Sequence, residues 1–155
     1  MDKGDLVPDF TLLDQKGQER SLREFTENGP VVVFFYPSAM TQGCTAESCR
    51  FRDLAAEFEA VGAQRIGISA DDVERQREFS ELHGFDYPLL SDPDGVVATV
   101  FGVRRRIGLP GALAALRTRR WTFVIGADNR VLEVVKSELH MEVHADRALE
   151  ALRNR

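Results

Sequence analysis

The hydrophobic positions of this chain change their period several times, and each change marks an element. Val31–Tyr36 is an unbroken apolar run rich in β-branched and aromatic residues, the pattern of a strand covered on both faces. Gln64–Ser69 reads as a second strand. Phe51, Leu54, Ala55 and Phe58 recur at i, i+3, i+4 and i+7, which predicts one amphipathic helix. Asp71-Asp72-Val73-Glu74 opens another helix that runs to about His83, with acidic residues in its first turn.

Shorter signals fill in the rest. Phe10–Leu13 and Glu19–Ser21 flank a turn at Asp14–Gly17 and predict an N-terminal β-hairpin. Ser21 and Glu24 have the spacing of a capping box, which opens a helical turn. Tyr87–Leu90 leads into the turn Ser91–Gly95 and a short apolar helix to Phe101. Trp121–Ile125 and Val131–Val135 flank Asp128-Asn129, a hairpin pattern. Ala145, Ala148, Leu149 and Leu152 fit one face of a C-terminal helix. Strands alternating with helices, closed by a hairpin and a helix, predict an α/β chain with a central mixed β-sheet flanked by helices. That order is compatible with a thioredoxin-like fold, although periodicity alone does not select it among α/β folds. There is no internal repeat or linker, so residues 1–155 are expected to form a single domain.

Composition narrows the function classes. Hydrophobic residues make up 43% and charged residues 29%, values of an ordinary globular domain. The net charge of −5 gives no basic footprint for nucleic acid or an anionic membrane. Val31–Tyr36, the longest apolar run, is far too short to span a bilayer. The opening segment Met1–Phe10 lacks the layout of a signal peptide, so a cytoplasmic, reducing location is expected. Two cysteines in that setting are more readily reactive than structural.

The candidate chemistry concentrates between Tyr36 and Cys49. A buried strand ends at Tyr36, Pro37 forces a turn, and Thr41 suits the N-cap of the next helix. Cys44 then falls in the first helical turn, where unpaired N–H groups and the helix dipole favour an anion. Only a thiolate is a useful nucleophile. On a helical wheel of about 100° per residue, Cys44 lies about 20° from core-facing Phe51 and Cys49 about 160° from it. In an intact helix the two Cα atoms stand roughly 8–9 Å apart. A disulfide needs less than about 7 Å, so any bond between them requires the first turns to unwind.

Pro37-x-x-x-Thr41-x-x-Cys44 resembles the active-site motif of the peroxiredoxins. Gly43-Cys44-Thr45-x-Glu47-x-Cys49-x-Phe51-Arg52-Asp53 narrows the resemblance to the bacterioferritin-comigratory, or Q-type, subfamily. The likeness runs from Gly4–Leu13 through Tyr87–Asp92 to Arg120–Ile125. It implies a thioredoxin-like fold and a thiol peroxidase that reduces hydrogen peroxide and organic hydroperoxides without cofactor or metal. On this resemblance Cys44 is the peroxidatic cysteine, oxidised to sulfenic acid. Thr41 donates its hydroxyl to the peroxide and the thiolate, Pro37 shields the sulfur from water, and Arg120 brings a guanidinium to the thiolate and the developing oxyanion. Cys49 condenses with the sulfenic acid to an intramolecular disulfide, which thioredoxin reduces. A monomer or weak homodimer is expected. Gln42 departs from the proline, and Gly126 from the acidic residue, that many relatives carry.

Other readings stay open at this stage. A metal site is disfavoured, because the cysteine spacing is not that of a zinc knuckle. A protein thiol–disulfide oxidoreductase usually carries C-x-x-C at the helix start, where this chain has one cysteine. A redox sensor shares the first chemical step and differs only in failing to turn over. Glu47 is either a partner of an arginine or a first-turn acid that suits the dipole. Arg104, Arg105, Arg106, Arg117 and Arg119 are read as solvated, and His83, His140 and His144 as surface or capping residues. Ile107–Leu116, apolar but broken by glycine and proline, is read either as a loop packed on the body of the domain or as a flap beside the active site or a contact surface.

Overall fold

A computed structural model describes residues 1–105 and 118–155; the expected loop or flap Ile107–Leu116, with Arg106 and Arg117, lies outside the described residues. Among the described residues the strands are β1 (Thr11–Leu13), β2 (Glu19–Ser21), β3 (Val31–Phe35), β4 (Gln64–Ser69), β5 (Leu89–Ser91), β6 (Trp121–Ile125) and β7 (Val131–Lys136). The helices are α1 (Leu22–Thr26), α2 (Gln42–Asp53), α3 (Ala55–Ala60), α4 (Val73–His83), α5 (Val96–Val100) and α6 (Glu142–Arg153). The strands form one sheet in the order β2-β1-β5-β4-β3-β6-β7. Strands β3, β4 and β5 run parallel, and β6, β7, β1 and β2 join antiparallel. This is the mixed sheet that the element order predicts.

The five residues of β3 are all buried, because the strand feeds two cores in alternation. Val32 and Phe34 point with Tyr36 into a cluster containing Cys44, Phe51, Phe58 and Ala148. Val31, Val33 and Phe35 point into the opposite cluster, with Leu22, Phe25 and Phe101. Helices therefore cover both faces of the central strands. The expected capping box forms at α1, where Ser21 Oγ accepts from the Glu24 N–H and Glu24 Oε1 from the Ser21 N–H. The Asp14–Gly17 turn also closes, with the Gly17 N–H on the Asp14 carbonyl at 3.0 Å.

Two expectations are corrected. The helix through Phe51 and Phe58 is interrupted at Leu54 (φ −93°, ψ 19°) and continues as α3. The buried Arg65 guanidinium donates to the Phe51 carbonyl at 2.7 Å, an acceptor that a continuous helix would offer to residue 55. The apolar stripe survives the break, since Phe51 and Phe58 are both fully buried. Ser91, expected to open the turn after Tyr87–Leu90, instead closes the strand β5, because it still pairs with Ser69 of β4.

Candidate active site

The site grows from the end of β3. The chain leaves the strand at Tyr36, passes Pro37 and Ser38, and bends at Met40 in the left-handed region (φ +68°). Thr41 stands at the N-cap of α2 with extended backbone, but its side chain makes no cap bond. Its hydroxyl donates back to the Ser38 carbonyl at 2.8 Å, which corrects the expected capping role. Thr41 is exposed and Pro37 partly exposed. Cys44 is in the first turn of α2, as the spacing requires, and is fully buried.

Arg120 reaches the same place from the opposite direction. It precedes β6, which pairs antiparallel with β3, so the start of one strand lies beside the end of the other. Its backbone N–H donates to the Glu138 carboxylate at 3.2 Å. Arg120 Nη2 donates to Cys44 Sγ at 3.2 Å, and Nη1 to Glu47 Oε1 at 3.3 Å. Gly43 leaves room for this contact: a Cβ there would stand 3.3 Å from Arg120 Nη2. A guanidinium placed on sulfur stabilises negative charge at that atom and at an oxygen bound next to it.

Behind the arginine lies a buried polar chain. Glu47 is fully buried, and its Oε2 faces His144 Nε2 at 3.5 Å. His144 Nε2 is 2.7 Å from the Ser137 carbonyl and Nδ1 is 2.8 Å from Thr122 Oγ1. A carbonyl only accepts, so Nε2 carries the hydrogen and Nδ1 accepts from the threonine hydroxyl. Burial pushes the Glu47 carboxyl up to about 8, against the attraction of Arg120. Burial likewise pushes His144 down to about 4, against its bond to Ser137. His144 is therefore neutral near pH 7, and the Arg120 charge is not fully claimed by a carboxylate.

Cys49 has a different environment. Both cysteines are free; Cys44 is buried and Cys49 partly exposed at the edge of the same core. Burial raises the Cys49 thiol above its ordinary value, only partly offset by Arg52. Its neighbours are tied down: the Ser48 carbonyl by Tyr87, and Arg50 to Asp146 at 2.8 Å.

The structure thus joins Cys44, Arg120 and Glu47, and sets Thr41 and Pro37 on the adjoining loop. It corrects the reading of His144, which is neither surface nor cap but fully buried in the site. The available signal was its position four residues before Ala148 and eight before Leu152, on the apolar stripe of α6. Thr122 gave no signal, being one of many strand residues. Among the described residues no group of three or more His, Cys, Asp or Glu could hold a metal. No described helix is long and apolar enough to cross a membrane.

Comparison with known proteins points to a single family. A family model described as the AhpC/TSA family matches residues 3–134. The chain is 55% identical over 153 residues to a putative peroxiredoxin of Mycobacterium tuberculosis, covering 99% of this chain and 97% of the relative. It is 38% identical over 152 residues to the chloroplastic peroxiredoxin Q of Gentiana triflora, covering 98% of this chain and 67% of that one. The crystal structure of peroxidoxin BcpB from M. tuberculosis superposes with a TM-score of 0.92 at 55% identity, over 99% of this chain and 97% of that one. A Xanthomonas campestris bacterioferritin comigratory protein, described for its alkyl peroxide reduction activity, gives 0.82 at 30% identity, over 94% and 90% of the two chains.

Proposed function

Because this chain belongs to the AhpC/TSA family and is a peroxiredoxin with a thioredoxin-like fold, we propose that it is a two-cysteine thiol peroxidase in which Cys44 attacks the peroxide and Cys49 resolves the product. The contact of Arg120 Nη2 with Cys44 Sγ at 3.2 Å carries the reading. The Cys44 thiolate attacks one peroxide oxygen, an S–O bond forms and the O–O bond breaks. The sulfur loses two electrons to become a sulfenic acid. The other oxygen leaves as alkoxide or hydroxide and is protonated to alcohol or water. Arg120 is already aimed at the atoms where this charge develops, so the step needs little reorganisation. Thr41 turns its hydroxyl from Ser38 to the peroxide, and Pro37 keeps water from the sulfur.

Cys49 then attacks the sulfenic sulfur, forming the disulfide and releasing water. The helix that separates the cysteines must unwind first, and unwinding exposes Cys49 to solvent. That relieves the partial burial that raises its thiol above the ordinary value. The resolving thiol is therefore activated by the movement that brings the two together. Thioredoxin returns the disulfide to two thiols. The substrates are hydrogen peroxide and organic hydroperoxides, and the compartment is the cytoplasm, with the whole chain acting as a single domain.

The test is peroxide-dependent NADPH oxidation in the presence of thioredoxin and its reductase. Cys44→Ser is expected to have no activity. Full activity in that variant overturns the assignment of the nucleophile.

A further inference from the structure

The loop leading into Cys44 is gripped by two charged side chains from another element. Asp71, between β4 and α4, has a side chain only 9% exposed and forms an ion pair with Arg75 at 3.2 Å. Asp71 Oδ2 accepts the Ala39 N–H at 2.7 Å, and Arg75 Nη2 donates to the Ala39 carbonyl at 3.1 Å. One ion pair thus holds both polar groups of a single buried residue. The anchor is itself fixed. Ser69 Oγ donates to Asp71 Oδ2 at 2.6 Å and accepts from Gln76 Nε2 at 2.9 Å. Gln76 Oε1 accepts from the Tyr36 hydroxyl at 2.5 Å, and the Ser91 hydroxyl donates to the Asp71 carbonyl. The ends of β3, β4 and β5 all bear on this one point.

What the grip holds is a strained bend. Met40, next after Ala39, has φ +68°, a conformation that L side chains rarely adopt. Such a residue persists only where its surroundings over-determine it. The Asp71–Arg75 pair fixes the chain before Met40, and the start of α2, with Thr41 at its N-cap, fixes it after. Three residues beyond Thr41 stands Cys44.

We propose that Asp71 and Arg75 are positioning residues for the oxidation of Cys44, holding the Ala39–Met40 bend and with it the start of α2 in the geometry where Cys44 meets Arg120. The proposal rests on the peroxidase reading. It gives the two chemical steps opposite demands. Attack on the peroxide needs the loop held, whereas disulfide formation needs the start of α2 to leave. A loosened grip therefore slows the first step and does not slow the second.

The test compares Arg75→Ala and Asp71→Asn with the parent chain, each with and without Cys49→Ser. With Cys49→Ser, rapid mixing with hydrogen peroxide followed by a sulfenic-acid trap and mass measurement gives the rate of the first step. With Cys49 present, loss of the trappable sulfenic acid gives the rate of disulfide formation. Both variants are expected to slow the first step about tenfold or more, as misplacement of a reacting group does, with disulfide formation at or above the parent rate. A parent-like first step in either folded variant overturns the proposal, and so does equal slowing of both steps. Arg75 is half-exposed, so Arg75→Ala decides alone if Asp71→Asn fails to fold. A parent chain that forms no sulfenic acid at Cys44 overturns the peroxidase reading itself, an outcome distinct from failure of the grip.

Discussion

The guanidinium of Arg120 donates to the sulfur of Cys44 at 3.2 Å across 76 positions of sequence. The contact follows from the antiparallel pairing of β3 with β6, in which Phe34 lies opposite Thr122. The same guanidinium holds Glu47, so one residue of α2 orients the arginine toward another.

Arg120→Met keeps much of the volume and removes the charge. Peroxide reduction is expected to fall by about 10²–10³-fold, the usual effect of deleting a donor aimed at developing charge. Arg120→Lys should recover little of it, because an ammonium lacks the fork that reaches Cys44 and Glu47 together. Steady-state kinetics at fixed peroxide checks both, and near-parent activity in the lysine variant contradicts the two-point contact.

Gly43→Ala separates activity from stability. The added Cβ would stand 3.3 Å from Arg120 Nη2 and push the guanidinium off its place. Alanine also favours helix over glycine by roughly 0.5–1 kcal/mol. The melting temperature should hold or rise while the rate of Cys44 oxidation falls by about threefold or more. A slower variant that also melts earlier would instead indicate a packing fault.

Glu47 makes stability depend on pH in a defined direction. Its folded value of about 8 lies above the ordinary 4.5, so its favourable contribution is complete below 4.5 and is lost as pH rises through 8. His144 runs oppositely, with about 4 against an ordinary 6.5; its contribution is complete above 6.5 and is lost as pH falls through 4. The two offset each other between 4.5 and 6.5, and only Glu47 acts from 6.5 to 8. There the parent should lose stability relative to Glu47→Gln, by up to about 1.4 kcal/mol per pH unit. Denaturant unfolding of both proteins from pH 6.5 to 8.5 measures this, and a pH-independent difference would contradict the buried acid.

Cys49→Ser should leave the first oxidation of Cys44 intact and remove most thioredoxin-linked turnover. Trapping the sulfenic acid after one equivalent of peroxide gives the first quantity, and NADPH oxidation the second. Sustained turnover in this variant would assign resolution to another thiol.

Much of the fold was legible in local pattern. The hairpin, the Ser21 capping box and the buried strand β3 were written in residues a few positions apart, where steric preference and periodicity act directly. The break at Leu54 was not, because its cause is the guanidinium of Arg65, a strand residue that approaches only after α2 packs on the sheet. The inertness of the Thr41 hydroxyl as a cap was not legible either. The sequence offers a good N-cap residue, and the folded loop offers that hydroxyl a nearer acceptor in Ser38.

Cys44 and Arg120 illustrate the same division. Spacing alone puts Cys44 in the first turn of a helix and Cys49 on another side of it, since helix geometry is local and fixed. The resemblance to peroxiredoxins names Arg120, but its distance from the sulfur is decided by strand pairing. The buried environment of Glu47 and His144 is decided only when α2, α6 and the sheet close on one another. Burial and the resulting charge states depend on residues far apart in sequence, and no reading of neighbours along the chain contains them. Sequence by itself determined where Cys44 and Cys49 stand along one helix; tertiary structure decided what surrounds the Cys44 sulfur, and which buried groups share its field.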